Sequence, residues 1–294
     1  ADVSSASSSV SAQSAASNTR RQALVALFNR KKASHRGAFF VACLLALPAL
    51  AQARDTSCAL PSGAQPVVSQ RVTDGDTLRL QDGRRVRLIG INAPELGRNG
   101  KPSEPYAQAA RRALQTLVDG QPLQLVTGNE ATDRYGRTLG YLFDQRGENL
   151  EAQLLAQGMG YAVAIPPNLD LVDCHVAAEQ AARDARLGLW QAQPVQAVNA
   201  LRSGGFHLVQ GKVSAVSRAG STLWIDLDGP LALRFTAADR ALFSTWPDNS
   251  WVGRRLELRG WVIDRQSWGG QRPGFRRYML NVRHPSQMRQ LPAQ

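Results

Sequence analysis

Acidic residues and an arginine gather around one predicted hairpin in the first third of the chain. The run Asp-Gly-Asp-Thr at 74–77 precedes Asp82-Gly83, a pair typical of a tight turn between two strands. If that turn contains two residues, Asp76 lies opposite Ile89. The side chain of Asp76 then shares a face of the hairpin with Arg87, because side chains alternate along a strand.

The segment that follows the hairpin adds further oxygen atoms at the same end. It contains Asn92, Ala93 and Glu95. Carboxylate, amide and carbonyl oxygens are the ligands that a hard divalent cation prefers, and an arginine fork binds a phosphate. A cation and an arginine together neutralise the charge on a phosphodiester under attack by water. The cluster therefore predicts phosphodiester hydrolysis, whereas each piece alone also fits an ordinary solvated hairpin.

The surrounding pattern predicts a small barrel that positions these residues. Five strands are predicted at Val67–Val72, Thr77–Leu80, Arg84–Ile91, Pro122–Thr127 and Arg137–Phe143. A helix with Ser103 as its cap follows the hairpin, and its predicted apolar face is Ala107, Ala110, Leu114, Leu117 and Val118. Two more helices are expected near 150–158 and 171–187. Five strands and three helices predict an α+β fold built on a closed or partly open β-barrel.

Four motifs in this region resemble the staphylococcal nuclease family. They are Asp-Gly-Asp-Thr at 74–77, Arg-Leu-Ile-Gly-Ile-Asn-Ala-Pro-Glu at 87–95, Asp-Arg-Tyr-Gly-Arg at 133–137 and Leu-Gly-Leu-Trp at 187–190. Their order and spacing match that family across residues 64–190. The resemblance implies an OB-fold nuclease domain and Ca²⁺-dependent hydrolysis of DNA and RNA, single-stranded or relaxed duplex, with little sequence preference.

The resemblance also implies a role for each matching residue. Arg87 and Arg137 would bind the scissile phosphate, and Glu95 would position the attacking water and accept its proton. The implied calcium ligands are Asp76, Asn92 and the backbone carbonyl of Ala93. The implied contacts to the terminal phosphate side of the substrate are Arg134 and Tyr135.

Two departures from the family pattern stand out. Asn92 occupies the place of a second aspartate, so we expect weaker calcium binding or a changed metal preference. The segment 161–167, Tyr-Ala-Val-Ala-Ile-Pro-Pro, lacks the later tyrosine on which the family stacks a base. Tyr161 itself is expected to pack in the barrel.

A second, mostly-β domain is predicted at 205–290 after a linker at 191–204. Its strands are predicted at Leu208–Val216, Thr222–Leu227, Leu231–Phe235, Arg255–Ile263 and Arg277–Val282, with a short helical stretch near 237–243. This number of strands predicts another OB-like barrel, although the motifs of the first domain do not recur in it.

Positive charge and tryptophan concentrate in this second domain. The whole chain has a formal charge of +12, of which residues 201–294 carry a net +8 together with five of the six tryptophans. Aromatic rings beside arginines bind single-stranded nucleic acid, whereas core packing and solubility are the alternatives. Trp224 and Trp261 are expected in the core. The residues expected to contact nucleic acid are Trp268, Arg272, Arg276 and Arg277.

Residues 1–53 read as a disordered leader followed by a secretory signal peptide. A basic segment at 30–36 precedes a short apolar run and Ala51-Gln52-Ala53, which predicts cleavage near Ala53. An uncleaved membrane anchor is the alternative. We therefore expect a secreted or periplasmic protein with no stable membrane insertion after cleavage. Cys58 and Cys174 would then form a disulfide or remain two buried thiols.

These features predict an exported nuclease, with a second function class as the rival. A catalytically weak or silent envelope protein that binds nucleic acid would account for Asn92 and the missing tyrosine. It would not require a water-activating carboxylate at position 95. The sequence indicates no protein partner.

Overall fold

The computed structural model describes residues 58–268 and 274–292. The predicted leader and signal peptide at 1–53 lie outside these ranges. Within them, none of the helices has both the length and the apolar character that crossing a membrane requires.

The first half of the described chain is a closed five-stranded barrel with three helices, as predicted. Its strands are β1 Gln65–Asp74, β2 Thr77–Leu80, β3 Arg85–Leu88, β5 Pro122–Thr132 and β6 Thr138–Phe143. They close in the order β1-β2-β3-β6-β5, with β3 and β6 parallel and the other pairs antiparallel. Alternate side chains such as Leu78, Val86 and Leu125 are fully buried and fill the barrel. A small two-stranded sheet, β4 Ile91–Asn92 with β7 Tyr161–Ala162, lies beside it.

The hairpin between β2 and β3 has a three-residue loop, so the predicted register is wrong by one residue. The Leu80 amide donates to the Arg84 carbonyl at 2.9 Å, which leaves residues 81–83 as the loop. Asp82 accepts the Arg84 amide at 2.9 Å, and Gly83 adopts a φ of 91° that disfavours a side chain. Thr77 therefore pairs with Arg87, and Asp76 lies beside Leu88.

The three helices are α1 Ala107–Val118, α2 Leu150–Ala156 and α3 Val172–Asp184. The prediction that Ser103 caps α1 is wrong, because Tyr106 precedes the helix and the Ser103 hydroxyl accepts the Gly97 amide at 3.0 Å. The predicted apolar face is largely confirmed, since all its residues are buried except Leu117, which is partly buried.

The start of the described chain is tied to α3 by a disulfide between Cys58 and Cys174, whose Cα atoms are 5.6 Å apart. The next residue of α3, His175, belongs to a buried polar cluster with Asn149 and Glu151. Its Nε2 lies 2.9 Å from Asn149 Oδ1, and the Asn149 amide donates to Glu151 Oε2 at 2.5 Å. Burial raises the pKa of Glu151 to about 8 and lowers the pKa of His175 to about 4.

The second half is another barrel with the same strand connectivity. Its five barrel strands are β9 Gly205–Ala219, β10 Thr222–Leu227, β11 Leu231–Phe235, β12 Arg255–Asp264 and β13 Tyr278–Asn281. Consecutive strands β9, β10 and β11 pair antiparallel, β11 pairs parallel with β13, and β12 pairs antiparallel with both β13 and β9. The circuit matches β1-β2-β3-β6-β5 strand for strand, which supports the OB-like prediction.

Short elements flank this barrel at both ends. Strand β8 Val195–Ala197 and a 3₁₀ helix Val198–Ala200 lie in the range where the sequence predicts a linker, and strand β14 Met288–Leu291 pairs with β12. A further 3₁₀ helix, Ala237–Leu242, coincides with the predicted helical stretch.

Ion pairs between α3 and β12 join the two barrels. Arg183 donates through Nη1 and Nη2 to the two carboxylate oxygens of Glu257, at 2.5 and 2.7 Å. Glu179 is buried, forms an ion pair with Arg259, and accepts the Ala162 amide at 2.8 Å. Arg259 also donates to the Ala162 carbonyl at 3.2 Å. Arg259 thus connects β12 to strand β7, which pairs with β4.

An aromatic series continues this junction. Tyr161 contacts the edge of Trp190 and stacks on Phe206, with ring centroids 5.6 and 5.4 Å apart. Phe206 in turn lies 5.0 Å from Trp261. Trp261 is 43% exposed, so its predicted place in the core is wrong. Trp224 is likewise on the outer face of its strand, half-buried beneath the Arg265 guanidinium.

The buried carboxyl of Glu151 makes stability depend on pH in a defined direction. Its pKa is raised on folding, so the native state binds an extra proton, and stability is lost as pH rises toward 8. The lowered pKa of His175 changes stability only below about pH 6.5. Between pH 6.5 and 8, Glu151 is therefore the group of this pair whose protonation changes stability. We expect the unfolding free energy of the wild type to fall by roughly 1–2 kcal/mol across that window relative to Glu151→Gln.

Urea unfolding at several pH values measures this difference. The exposed Glu148→Gln variant is the matched control and should retain the wild-type slope. Parallel pH profiles for wild type and Glu151→Gln would contradict the expectation.

Candidate active site

Asp76 lies at the centre of the predicted cluster and is almost completely buried. Its Oδ2 accepts the Ala93 amide at 2.9 Å and forms an ion pair with Arg87 Nη2 at 3.1 Å, while its Oδ1 accepts the Thr77 hydroxyl at 2.9 Å. Gly75 makes this close approach possible, because an added Cβ would lie 2.7 Å from the Ala93 side chain. One carboxylate therefore joins the β1–β2 turn, strand β3 and the 92–95 segment.

Arg87 reaches Asp76 although the two residues are not paired across the hairpin. Its Nη1 donates to the carbonyls of Leu88 and Ile91, at 2.5 and 2.8 Å, so the guanidinium folds over the end of strand β3. The long side chain compensates for the register shift. The predicted neighbourhood of Asp76 and Arg87 is therefore present, although its predicted strand pairing is not.

Glu95 lies in the loop that leaves this site, and its amide donates to Glu104 Oε2 at 2.9 Å. The residue is solvent-exposed as a whole. Partial burial of its carboxyl raises the pKa of Glu95, repulsion from Asp76 and Asp74 adds to that effect, and Arg87 opposes it. A carboxylate with a raised pKa is a stronger base, as proton abstraction from water requires.

Asp74 is a further buried carboxylate of this site, and no role was predicted for it. It forms an ion pair with Arg98 at 3.0 Å and accepts the Leu96 amide at 3.3 Å. These bonds hold the loop after residue 95 against the β1–β2 turn. The Asp-Gly-Asp spacing could have predicted this role of Asp74, because two carboxylates at one turn can bind different partners.

The donors around Asp76 suit a hard cation that binds oxygen. Asn92 is half-buried on strand β4, and Ala93 is buried beside Asp76. Across residues 58–268 and 274–292, no three His, Cys, Asp or Glu side chains converge as a metal site would require. A cation here would therefore need the Asn92 amide and a backbone carbonyl besides carboxylate. Asp76 and Asp74 repel the Glu95 carboxylate, and a cation beside Asp76 would reduce that repulsion.

The turn between β5 and β6 carries the other predicted residues. Asp133 accepts the amides of Tyr135 and Arg137 and forms an ion pair with the Arg137 side chain at 2.7 Å. Burial opposes but does not outweigh these bonds, which lower the pKa of Asp133. Tyr135 is 59% exposed, and the Arg134 guanidinium lies over its ring and donates to its hydroxyl at 2.8 Å.

A cavity of about 260 Å³ brings Arg87 and Arg137 together. Its polar lining residues also include Asp133 and Glu130. Its apolar lining residues are Ile89, Leu139, Val163, Ile165 and Trp261. Both predicted phosphate-binding arginines therefore line one cavity.

The predicted contacts of the second barrel are only partly described. Arg276 forms an ion pair with Asp226 at 3.5 Å, and Arg277 forms one with Asp264 at 2.7 Å. Arg272 and the side chain of Trp268 lie outside the described residues. Trp261, which was predicted to lie in the core, instead lines the cavity from the second barrel. Its alternation with buried Leu258 and Val262 along β12 was the signal that places it outward.

This chain is similar to a family of known proteins and to several individual relatives. The profile of the family described as "Staphylococcal nuclease homologue" matches residues 85–192. The thermonuclease of Staphylococcus intermedius is 34% identical over 125 residues, which cover 42% of this chain and 74% of that protein. The thermonuclease of Staphylococcus hyicus is 29% identical, covering 41% and 72%.

A protein from Escherichia coli O157:H7 named as an uncharacterized endonuclease is 32% identical over 132 residues, covering 42% of this chain and 77% of that protein. The residues that the family profile matches include Arg87, Arg137 and the motifs at 87–95, 133–137 and 187–190. The chain belongs to the staphylococcal nuclease family and is a phosphodiester-hydrolysing nuclease.

Proposed function

We propose that this nuclease depends on Ca²⁺, acts on both DNA and RNA with little sequence preference, and is exported. The observation that supports the catalytic part best is the shared carboxylate of Asp76. It fixes Arg87 and the 92–95 segment in one place, beside the cavity that Arg137 also lines. Charge recognition of a phosphodiester does not depend on the base or the sugar, which is why we expect low selectivity.

The protein side chains divide the work of hydrolysis. Glu95 accepts a proton from the attacking water, and its raised pKa favours that role. Arg87 and Arg137 bind the scissile phosphate and stabilise the charge that builds up on its oxygens. Their bonds to Asp76 and Asp133 hold the two guanidinium groups in position before the substrate arrives. Arg134 and Tyr135 contact the substrate at the exposed turn.

Asp76, Asn92 and the carbonyl of Ala93 would hold the calcium ion. When bound, Ca²⁺ supplies positive charge beside the phosphate. Calcium accepts amide oxygen as a ligand, but its affinity depends on the number of charged ligands. Asn92 therefore supports a weaker site than an aspartate would.

The second barrel would increase the affinity for long substrates. Residues 201–294 carry a net charge of +8, and Arg276 and Arg277 lie on the segment that leads into β13. Such contacts raise the local concentration of substrate at the first barrel without changing the chemical step. The same contacts would suit a catalytically weak nucleic-acid-binding envelope protein, so turnover decides between the two.

The catalytic role of Glu95 leads to a prediction about turnover. We expect Glu95→Gln to lower kcat on single-stranded DNA by about 10²–10⁴-fold, because an amide cannot accept the proton. Binding of a non-cleavable oligonucleotide should remain near the wild-type Kd. Glu148→Gln removes an exposed carboxylate elsewhere and should keep full activity. A Glu95→Gln variant that retains wild-type turnover would refute this mechanism.

The metal site leads to a prediction about calcium dependence. Chelation of Ca²⁺ should abolish cleavage, and Asn92→Asp should lower the half-saturating Ca²⁺ concentration by on the order of 10-fold, because it adds a charged ligand. Asn249→Asp adds the same charge on the second barrel and should leave the half-saturating Ca²⁺ concentration unchanged. Cleavage that continues in the presence of a chelator would exclude a Ca²⁺-dependent reaction.

Export is a proposal from the sequence at 30–53. Expression in a bacterial host with a periplasm should yield a mature protein that begins near Arg54, as measured by intact mass. Replacing Leu44 and Leu45 by arginine should interrupt the apolar run and retain the full-length protein in the cytoplasm. Retention of the uncleaved wild-type chain in the membrane would instead support the anchor alternative.

A further inference from the structure

Trp261 of the second barrel borders the cavity that contains Arg87 and Arg137. Its side chain is 43% exposed, and Ile165 beside it is 47% exposed. A second cavity of about 210 Å³ is also lined by Val163, Ile165 and Trp261. The indole is therefore open to two adjoining spaces and is not enclosed by the core.

The first cavity combines two kinds of lining residue that match the two parts of a nucleotide. Arg87 and Arg137 carry the charge that a phosphate requires, whereas Val163, Ile165 and Trp261 add apolar surface. Exposed aromatic surface in a concave site favours a flat apolar group, and every nucleobase has such a face. A nucleotide whose phosphate binds the arginines would have its base within reach of this apolar surface.

Contacts on both barrels hold Trp261 in place. Phe206 packs against its ring at 5.0 Å and stacks in turn on Tyr161 of the first barrel at 5.4 Å. Two residues earlier on the same strand, Arg259 pairs with buried Glu179 and donates to the Ala162 carbonyl. The indole is thus fixed relative to the arginines, and little ordering is needed when a ligand binds.

We propose that Trp261 forms a binding site for an unpaired nucleobase next to the scissile phosphodiester. This inference rests on the proposed function, because it takes the phosphate between Arg87 and Arg137 as the one that is cut. A base within a duplex stays stacked on its neighbours, so the site favours single strands and frayed ends. The second barrel then contributes to substrate positioning at the cleavage site itself.

The test uses a single-stranded oligodeoxynucleotide with one cleavable phosphodiester among phosphorothioate linkages. The two bases that flank this linkage are either present or replaced by abasic residues. With wild type, loss of the bases should lower kcat/KM by roughly 5- to 100-fold. Trp261→Ala should lower kcat/KM by a similar factor on the base-containing substrate and leave the abasic substrate unaffected.

Two further variants separate stacking from folding. Trp261→Phe keeps an aromatic face and should retain most of the base effect. Val252→Ala removes a hydrophobic side chain of similar exposure, 51%, elsewhere on the second barrel and should match wild type on both substrates. An equal loss of activity on both substrates in Trp261→Ala would indicate a structural role and overturn the proposal, as would the absence of any effect.

Equilibrium binding distinguishes this proposal from the proposed function. If wild type cleaves neither substrate, the proposed function fails, and the base site is then read from Kd values in the Glu95→Gln background. Tighter binding of the base-containing strand that disappears with Trp261→Ala would still support the site. Equal Kd values for the two strands in that background would overturn it.

Discussion

The arrangement of this site depends on a single buried carboxylate, that of Asp76. A buried charge is costly unless it is paired and hydrogen-bonded, and Asp76 meets that condition through Arg87, Thr77 and the Ala93 amide. These partners come from three separate segments of the first barrel. The carboxylate therefore both neutralises its own charge and determines where the arginine and the 92–95 loop lie.

The sequence predicted the two barrels well because strand alternation and turn residues are local signals. It predicted the membership of the Asp76 cluster but not its register, because Asp82 stabilises a three-residue loop where Asp-Gly alone indicates two. It also misplaced Trp261. The alternation of buried residues along β12 indicated an outward side chain, whereas the contact with Phe206, which is distant in sequence, has no local signal. Long-range contacts of this kind leave no pattern within a short window.

The two barrels share one strand circuit but differ in the chemistry of the equivalent turns. The turn between β1 and β2 carries Asp74 and Asp76, whereas the turn between β9 and β10 is Gly220-Ser221. Carboxylates near a phosphate repel it unless a cation intervenes. A barrel without them at that position can approach a polyanion directly. The same fold can thus support hydrolysis in the first barrel and binding of a polyanion in the second.

The pairing of Glu179 with Arg259 means that the second barrel is not a detachable module. Glu179 also accepts the Ala162 amide of strand β7. Strand β7 pairs with strand β4, which contains Asn92. Shortening the chain after residue 200 would leave this buried acid without its cation, at the edge of the proposed calcium site. The first barrel prepared alone would therefore be perturbed at this position, and its activity would underestimate the activity that the same barrel has in the full chain.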